Sequence, residues 1–322
     1  MKYAVIAIVL AILFIIANVG ILLFIRESMS SKNTETALNS DYPVYKQRSH
    51  AGTLVNSELQ ALVDKMWSLD VDRPSPKDVI LNWGSHIVSG TSDKSPNCLF
   101  YYVNESIFKK PVYQALMSTY QQNLFTPEVC STEPQMSGPR KELFQGVLRT
   151  LVNTPVFHAA FEYLQAEGIT QKPFEKFLSE LFTFWFGSYS RCRGTKGSSG
   201  WEHVFVGEWN HHKVSGHHSW VHYYLLEKEG LINYHGYHHH SGHLEGAVQY
   251  SWKGHVKKVG GFLIQSSPSF DFSLYTVCAL AHPGKSACRF SIDGYELSVV
   301  TFKQPCDGQS CLSTAYTVAH ME

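Results

Sequence analysis

The histidines are the residues of this sequence whose type and spacing could do chemistry. Of 17 histidines, twelve lie between positions 203 and 255. Histidine changes charge near neutral pH and also binds transition metals, so this density indicates either proton transfer or metal binding. His203 and His218 are 15 residues apart, and we hypothesise that they converge as a catalytic pair.

The elements expected around these two histidines are a strand, a loop and a helix. The run "EHVFVGE" with His203 is typical of a strand, and "SWVHYYLLEKEG" is typical of a helix that begins near Ser215 and Gly216. His218 would then lie in the first turn, where the helix dipole favours the neutral ring that a general base needs. The polar segment "NHHKVSG" joins the two elements. The alternative interpretation is that both histidines are ordinary surface or core residues.

The other histidines are weaker candidates. His211 and His212 lie in the linking segment, and a loop flanked by glycine and serine is predicted to hold His235, His238, His239, His240 and His243. Clustered histidines can bind a metal. However, three consecutive residues cannot all point at one ion without strain, and no carboxylate has regular ligand spacing to them. We therefore predict a solvated loop here.

The character of the chain changes near residue 190. Apolar residues at helical spacing predict helices in "VNSELQALVDKMWSLD", "RKELFQGVLRTLV" and "QKPFEKFLSELFTFWFGSY". Later, short β-branched or aromatic runs predict strands in "AVQYSW", "GFLIQS" and "LYTVCAL", and Asp293-Gly294 in "RFSIDGYELSVVTFK" predicts a hairpin. A helix-rich lobe (about 54–190) followed by a strand-rich lobe (about 191–322) predicts an α+β fold.

Length and charge limit the class of protein. The chain has 322 residues, 44% of them hydrophobic, with a formal net charge of zero and a pI near 7.3. This is enough for one large domain or two small ones. The balanced charge argues against nucleic-acid binding through bulk electrostatics alone, and leaves room for a local site.

The N-terminus carries the clearest topological pattern. Residues 3–25 form a run of 23 residues with one polar side chain, Asn18, and no charge, which is long enough to span a bilayer. We predict a signal anchor over residues 1–26 and a flexible stalk over 27–52. The alternative is a signal peptide cleaved near "SMS" at 28–30. The expected location is a single-pass membrane protein with a lumenal or extracellular domain, or a secreted protein.

The cysteines and one sequon bear on the compartment. None of the seven cysteines forms a CxxC pair with zinc-site spacing, which argues against a structural zinc site. Cys306 and Cys311 flank a short polar loop and could close a disulfide, and Asn104 begins an Asn-Glu-Ser glycosylation sequon. Both features fit an oxidising compartment, and the odd count leaves at least one thiol unpaired.

Several ordered motifs resemble one known family. "SSGWEHVFVGE…KVSGHHSW" is similar to the signature of the EndoU or XendoU-type endoribonucleases, also called poly(U)-specific or placental protein 11-like. Family members usually read "VSGFHNW", so here His217 replaces the phenylalanine, Ser219 replaces the asparagine, and His218 matches the family histidine. "WKGHVK" resembles the W-x-G-x-x-K motif and makes Lys257 the family lysine.

The resemblance extends over roughly residues 54–320. "MWSLDVDRPSP", "LFYYVNESIFKKPVY" and "WFGSYSR" are similar to further family segments, and residues 313–316 match a C-terminal "(G/S)TAY" segment. The resemblance implies one EndoU-like domain over residues 53–322, with the active site in its strand-rich catalytic lobe.

The activity that the resemblance implies is cleavage of single-stranded RNA 3′ to uridine, leaving a 2′,3′-cyclic phosphate, a lyase-type reaction. It implies His218 as the base, His203 as the acid and Lys257 as the cation that stabilises the phosphorane. The uridine-binding residues that it implies are Ser313, Thr314 and Tyr316. The alternative function is an RNA-binding or membrane-surface-binding relative with little catalysis.

The resemblance also implies a divalent cation, Mn²⁺ or Ca²⁺, because relatives are often stimulated by these ions and carboxylates suit them. Glu202 and Glu208 of the matched motif are the candidate ligands, and the alternative is that they orient His203. The expected partners are single-stranded, uridine-containing RNA and, through the N-terminal helix, a membrane. We expect a monomer.

Overall fold

The computed structural model describes residues 56–320. The predicted anchor over 1–26 and the predicted stalk over 27–52 lie outside the described residues. Within 56–320, no helix combines the length and the apolar character needed to cross a bilayer. The anchor, the membrane partner and the location therefore stay predictions.

Helices dominate the described chain before residue 187. They are α1 (Ser57–Leu69), α2 (Pro111–Ser118), α3 (Gly138–Val152), α4 (Pro155–Ala166) and α5 (Phe174–Phe186), with a 3₁₀ turn at Glu105–Lys109. The side chain of Asn56 caps α1 by accepting from the N–H groups of Glu58 and Leu59. The three predicted helices, which correspond to α1, α3 and α5, are confirmed.

Residues 56–320 contain twelve strands, ten of which lie in the second half. In chain order they are β1 (Val79–Leu81), β2 (Phe100–Val103), β3 (Ser188–Cys192), β4 (Thr195–Ser199), β5 (Glu208–Asn210), β6 (Lys213–Ser215), β7 (Ile232–Ser241), β8 (Glu245–Trp252), β9 (His255–Leu263), β10 (Gly284–Ile292), β11 (Tyr295–Cys306) and β12 (Gln309–Ala319). Two further helices, α6 (Trp220–Lys228) and α7 (Pro268–Ala281), lie among them. The mixed helix and sheet fold is as predicted.

The strands of the second half form two main sheets. One has the order β5-β6-β9-β8-β7, in which β6 and β9 run parallel and the other neighbours antiparallel. The other is the antiparallel sheet β10-β11-β12. The predicted hairpin between β10 and β11 is confirmed: Asp293 and Gly294 have φ of 50° and 85°, as a two-residue type I′ turn requires.

The segment "LYTVCAL", predicted as a strand, is instead helical and lies within α7. Ser267 caps this helix by accepting from the N–H of Phe270, and Pro268 occupies its first position. Twelve of the 14 residues of α7 are buried, so the helix has no exposed polar face. Hydrophobic periodicity cannot distinguish a helix buried on all sides from a buried strand.

The prediction of a solvated loop for the histidine run is also wrong, because this run forms most of β7. β7 pairs along its length with β8. His239 lies 3.5 Å from the buried carboxyl of Glu245, and the ring of His240 stacks on Trp83 at 4.3 Å between centroids. A partner strand and an aromatic platform thus order a sequence that has no strand alternation of its own.

An aromatic core joins the two halves. The ring of Trp185 on α5 lies 4.9 Å from Phe272 on α7 and 5.6 Å from Phe205, measured between centroids. Trp201 packs 4.6 Å from Phe205. Because Trp201 and Phe205 flank His203 in sequence, this close-packed core supports the segment that carries that histidine.

Three disulfides join six of the seven cysteines, as Cys130–Cys192, Cys278–Cys288 and Cys306–Cys311. The predicted Cys306–Cys311 bond is confirmed, and Cys98 is a free, exposed thiol. The side-chain amide of Asn104 donates to Asp78 at 2.7 Å. Glycosylation of Asn104 stays a prediction.

Candidate active site

His203 lies in a π-helical turn, Glu202–Val206, and not in the predicted strand. The turn ends at Gly207, whose φ of 84° lies in the left-handed region that favours glycine. Val204 and Phe205 are buried in the core. Such turns are rare and are frequently found at functional sites. A single turn is too short to produce a periodic pattern, so the sequence could not indicate it.

The segment before α6 docks on this turn through its main chain. The N–H of His217 donates to the carbonyl oxygen of His203, and the N–H of His218 donates to that of Val204, both at 2.7 Å. Gly216 makes the approach possible, because a Cβ there would lie 1.9 Å from the His203 carbonyl oxygen. The structure therefore brings the two predicted catalytic histidines together.

The prediction that His218 lies in the first turn of α6 is wrong. The helix begins at Trp220 and is capped by Ser219, whose hydroxyl accepts from the N–H of His222 at 3.5 Å. His218 thus precedes the cap, and the helix dipole is not what controls its charge. Its environment is set instead by burial and by neighbouring charges.

A carboxylate holds one nitrogen of His203. The Nδ1 of His203 lies 2.7 Å from Oε1 of Glu208, and Nε of Arg191 lies 2.8 Å from the same oxygen. His203 and Glu208 are almost completely buried. A carboxylate bonded to Nδ1 fixes the orientation and the tautomer of the ring.

A backbone carbonyl holds the corresponding nitrogen of His218. Its Nδ1 lies 2.8 Å from the carbonyl oxygen of Gly261 on β9. Since a carbonyl oxygen only accepts, Nδ1 carries the ring proton and Nε2 is the acceptor of the neutral ring. Burial, followed by the charges of Lys257 and His203, holds the pKa of His218 well below its usual value. The ring is therefore neutral at physiological pH.

The three groups expected to act together are close. The rings of His203 and His218 lie 5.8 Å apart between centroids. Lys257 on β9 is buried, and its charge is the largest electrostatic contribution to the lowered pKa of His218. The two anchored imidazoles can transfer protons, and the buried ammonium can stabilise negative charge, at one centre.

The predicted uridine-binding residues lie on β12, beside His218. The ring of Tyr316 stacks on His218 at 5.0 Å between centroids, with 21° between the planes. The buried hydroxyl oxygen of Thr314 has no hydrogen-bond partner among residues 56–320. Ser313 lies where the pairing of β11 with β12 slips by one residue, and its carbonyl oxygen accepts from Tyr189 and Arg191. Such bulges re-aim side chains next to active sites.

His217 is a core residue. Its Nδ1 lies 2.6 Å from the hydroxyl of Tyr250, and its ring stacks on Trp252 at 5.0 Å between centroids. Burial, with His222 and Lys257 nearby, lowers the pKa of His217 well below its usual value. The ring replaces the phenylalanine expected at this position and stays neutral, so it adds no charge beside His218.

The two glutamates predicted as metal ligands differ in their surroundings. Oε1 of Glu208 is engaged by His203 and Arg191. Neither carboxyl oxygen of Glu202 has a hydrogen-bond partner within the described residues, and burial, with the charges of Glu208 and Glu133, raises its pKa well above the usual range. Of the two glutamates, Glu202 is therefore the one with both carboxyl oxygens left for a ligand. In residues 56–320 no three His, Cys, Asp or Glu side chains gather as a complete metal site.

The family model described as endoribonuclease XendoU matches residues 58–317. The chain belongs to the XendoU endoribonuclease family. It is 34% identical to the uridylate-specific endoribonucleases of Mus musculus and Homo sapiens, over 289 and 288 residues, and each alignment covers 84% of this chain and 68% of the relative. It is 33% identical to uridylate-specific endoribonuclease B of Danio rerio over 279 residues, which cover 81% of this chain and 95% of that protein.

A solved XendoU structure supports the same assignment. That protein, described as a splicing-independent snoRNA processing endoribonuclease, aligns with a TM-score of 0.68 and 28% identity, over 83% of this chain and 99% of its own. The family membership indicated by the motifs is thus confirmed. As a XendoU-family protein, the chain is an endoribonuclease with RNA as its substrate class.

Two residues that contribute to this XendoU-family site, Arg191 and Gly261, were not predicted from the sequence. Arg191 joins Glu208 to the carbonyl oxygen of Ser313, and it is the last residue of the matched "WFGSYSR" segment, which could have indicated it. Gly261 acts only through its backbone carbonyl. A backbone acceptor has no side-chain signature, so no sequence pattern could have assigned it.

Proposed function

We propose that this XendoU-family chain cleaves single-stranded RNA on the 3′ side of uridine, leaving a 2′,3′-cyclic phosphate and a 5′-hydroxyl. The observation that carries the proposal is the paired anchoring of His203 and His218. Their rings lie 5.8 Å apart, and each Nδ1 is bonded to the protein, one to a carboxylate and one to a carbonyl. In each ring, Nε2 is the nitrogen that the proposed acid–base pair would use.

His218 is proposed as the base. Its bond to Gly261 puts the ring proton on Nδ1, and its low pKa keeps Nε2 able to accept a proton. When Nε2 takes the proton of the 2′-hydroxyl, that oxygen attacks the adjacent phosphorus. DNA lacks this hydroxyl and cannot react by this route.

His203 is proposed as the acid. The Glu208 carboxylate on Nδ1 favours imidazolium, whose Nε2–H can protonate the 5′-oxygen as its bond to phosphorus breaks. Lys257 is proposed to stabilise the negative oxygens of the phosphorane. Each proton transfer contributes about 10²–10⁴-fold to the rate in enzymes of this kind.

Uridine selection is proposed to rest on β12. The buried Thr314 hydroxyl has no hydrogen-bond partner among the described residues, and a uracil edge would supply one. Tyr316 stacks on His218, so a base or sugar held by Tyr316 would also lie beside the proposed base. Ser313 is proposed to contribute through the bulge that sets the direction of Thr314.

We further propose that a divalent cation, Mn²⁺ or Ca²⁺, binds at Glu202. Because the pKa of Glu202 is raised by burial and by the charges of Glu208 and Glu133, the cation would have to displace the proton of this carboxyl, and its charge would then stabilise the carboxylate. Glu208 is proposed to orient His203 instead. Thermal unfolding tests the cation without reference to activity: added Ca²⁺ or Mn²⁺ should raise the Tm of the wild type and leave that of Glu202→Gln unchanged.

The deciding experiment is product analysis with the full chain. Single-stranded RNA containing one uridine is incubated with the wild type, with His218→Ala and with His243→Ala, which changes an exposed histidine and serves as the matched control. The wild type and the control should yield 2′,3′-cyclic phosphate ends at the uridine. His218→Ala should lose this activity by about 10²–10⁴-fold.

Other product patterns would contradict the proposal. A 3′-hydroxyl end, cleavage of DNA, or equal activity in His218→Ala would each overturn the assignment of His218. RNA binding without cleavage by the wild type would favour a binding relative with little catalysis.

A further inference from the structure

Two tight turns that carry basic residues meet at one end of the five-stranded sheet. His211 and His212 form the turn between β5 and β6 and precede Lys213, the first residue of β6. Lys253 and Gly254 form the turn between β8 and β9 and precede His255, the first residue of β9. Five of these six residues are lysine or histidine. His211, His212, Lys213 and Lys253 are exposed. The five basic residues, His211, His212, Lys213, Lys253 and His255, form the two-turn patch.

The two turns are locked together. The N–H of Val256 donates to the carbonyl oxygen of His212 at 3.0 Å, and Nδ1 of His255 donates to that of His211 at 2.8 Å. The His255 ring also stacks on Trp209 at 4.4 Å between centroids. The patch is therefore one ordered surface and not two independent loops.

The turn tips carry basic side chains where other residues would be more stable. His211 and Lys253 have φ of 56° and 48°, a region that non-glycine residues seldom adopt and that asparagine tolerates best. A lysine or histidine at such a position adds nothing to the turn itself. Its exposed side chain is available to a ligand.

The two-turn patch lies at the start of β9, the strand that also carries Lys257. His255 and Lys257 are two residues apart on β9, so their side chains lie on the same face of the sheet, about 6.6 Å apart along the strand. Trp209 and Trp252 pack on this face beside His255. An RNA strand with its reacting phosphate at Lys257 would place a neighbouring phosphate near the patch.

We propose that the two-turn patch binds phosphates of the RNA that flank the cleaved uridine, a subsite that rests on the proposed function. Lys213 and Lys253 supply positive charge, and the imidazoles of His211 and His212 carry an N–H donor in either protonation state. Glu128 is an acidic neighbour, paired with Trp209 through the backbone. An RNA strand is favoured over a lipid surface because His255 of the patch shares a strand and a sheet face with Lys257.

The test uses the full chain with His211→Asn, His212→Gln and Lys253→Asn combined. Asparagine suits the positive φ of the first and third positions, so the turns should keep their fold. The control combines Lys77→Gln, Lys109→Gln and Lys176→Gln, three exposed lysines of the helical half. Cleavage of a long single-stranded RNA with one uridine is compared with cleavage of a dinucleotide, across a range of salt concentrations.

The patch variant should raise KM for the long RNA about fivefold at low salt, and the slope of log KM against log salt should flatten by about 0.7 for each phosphate that the variant no longer binds. Its kcat, its activity on the dinucleotide and all values of the control should match the wild type. An unchanged KM for long RNA, or an equal reduction in activity on the dinucleotide, would overturn the subsite.

Binding separates this subsite from the proposed function. If the wild type cleaves neither substrate, the cleavage mechanism fails, and anisotropy with a labelled RNA carrying 2′-deoxyuridine still tests the patch: the variant should bind more weakly, and equal binding would overturn the proposal. If the variant instead loses binding to phosphatidylserine vesicles and keeps its RNA affinity, the patch is a membrane contact and the proposal is wrong.

Discussion

The backbone N–H of His217 donates a 2.7 Å hydrogen bond to the carbonyl oxygen of His203, so the segments that carry the two candidate catalytic histidines are joined directly through the main chain. The neighbouring bond from His218 to Val204 repeats the contact. The separation of the imidazoles is therefore set by the main chain, and it depends on how closely the two segments approach.

Gly216 sets that approach, and Gly216→Ala should disrupt it. The φ of 65° costs a residue with a side chain about 1–2 kcal/mol, and the new Cβ would lie 1.9 Å from the His203 carbonyl oxygen. We expect a loss of more than about 3 kcal/mol in the free energy of unfolding, measured by urea denaturation, together with loss of RNA cleavage.

Gly230→Ala is the matched control for this prediction. Gly230 has a similar φ of 71°, and a Cβ there would have nothing within 4 Å. It should cost only about 1–2 kcal/mol and leave cleavage unchanged. Equal effects of the two substitutions would mean that backbone strain, and not the contact with His203, explains the result for Gly216.

The identity of the candidate groups could be predicted from the sequence, but their anchoring could not. Residue type and spacing indicated His203 and His218 as a pair, and the motifs of fixed order added Lys257. The Gly261 carbonyl that fixes the tautomer of His218 is a backbone group. The neutral state of His218 was expected from a helix dipole, whereas the ring precedes the helix cap and burial lowers its pKa.

The fold could be predicted where amphipathic spacing was present. The exposed and buried faces of α1, α3 and α5 gave a helical period, and Asp293-Gly294 gave a turn. The predictions were wrong for α7, buried on all sides, and for β7, whose histidines are ordered by β8 and Trp83. In both cases tertiary packing, and not local pattern, decides the structure.

Glu208→Gln should impair cleavage, and it should also lower stability because buried Arg191 loses its ion pair. The amide keeps the volume of the side chain but removes the charge that favours imidazolium at His203, 2.7 Å away. We expect kcat to fall about 10²-fold or more, within the range that a general acid contributes, with KM little changed. Glu245→Gln, in the buried pair with His239, is the control. A similar loss in both variants would point to general destabilisation.

Glu227 should make stability depend on pH. Its carboxyl oxygens accept from the N–H groups of Leu99 and Phe100 at 2.8 and 3.0 Å, which ties α6 to β2. Burial raises the pKa of Glu227 from 4.5 to about 7. The folded state therefore binds a proton that the unfolded state releases between these pH values, so the contribution to stability is complete below about pH 4.5 and is lost as pH rises through about 7.

Glu227→Gln removes this titration. The free energy of unfolding of the variant should increase relative to the wild type by about 3 kcal/mol between pH 4.5 and pH 8, since each tenfold change in proton affinity is worth about 1.4 kcal/mol. Urea denaturation across this range measures the difference. Glu229→Gln, at an exposed position beside the same helix, is the control. A constant difference for Glu227→Gln would show that its carboxyl is not the group responsible.

The cysteine pairing predicts one reactive thiol in the native chain and seven after reduction and unfolding, because only Cys98 lies outside the three disulfides. Burial, and then the charge of Glu227, raises the pKa of the Cys98 thiol, so labelling should be faster at alkaline pH. Mass spectrometry after alkylation counts the thiols. Cys98→Ser should leave none, and three thiols in the native wild type would mean that one disulfide does not form.

Tyr316 shields His218 from water, and removing its ring should shift the pH dependence of cleavage. The two rings stack at 5.0 Å between centroids, and burial is the largest cause of the lowered pKa of His218. Tyr316→Ala would let water solvate the imidazolium, so the pKa should rise towards its usual 6.5. Because the base must be unprotonated, the acidic limb of the profile of kcat/KM against pH should move to higher pH.

Tyr316→Phe separates the ring from the hydroxyl. It keeps the stacked ring, so the acidic limb should stay where it is in the wild type, while any loss of kcat/KM at its plateau measures what the hydroxyl contributes to substrate binding. Simple destabilisation by Tyr316→Ala would lower the plateau without moving the limb. A limb that moves equally in both variants would mean that the hydroxyl, and not the stacked ring, controls the charge of His218.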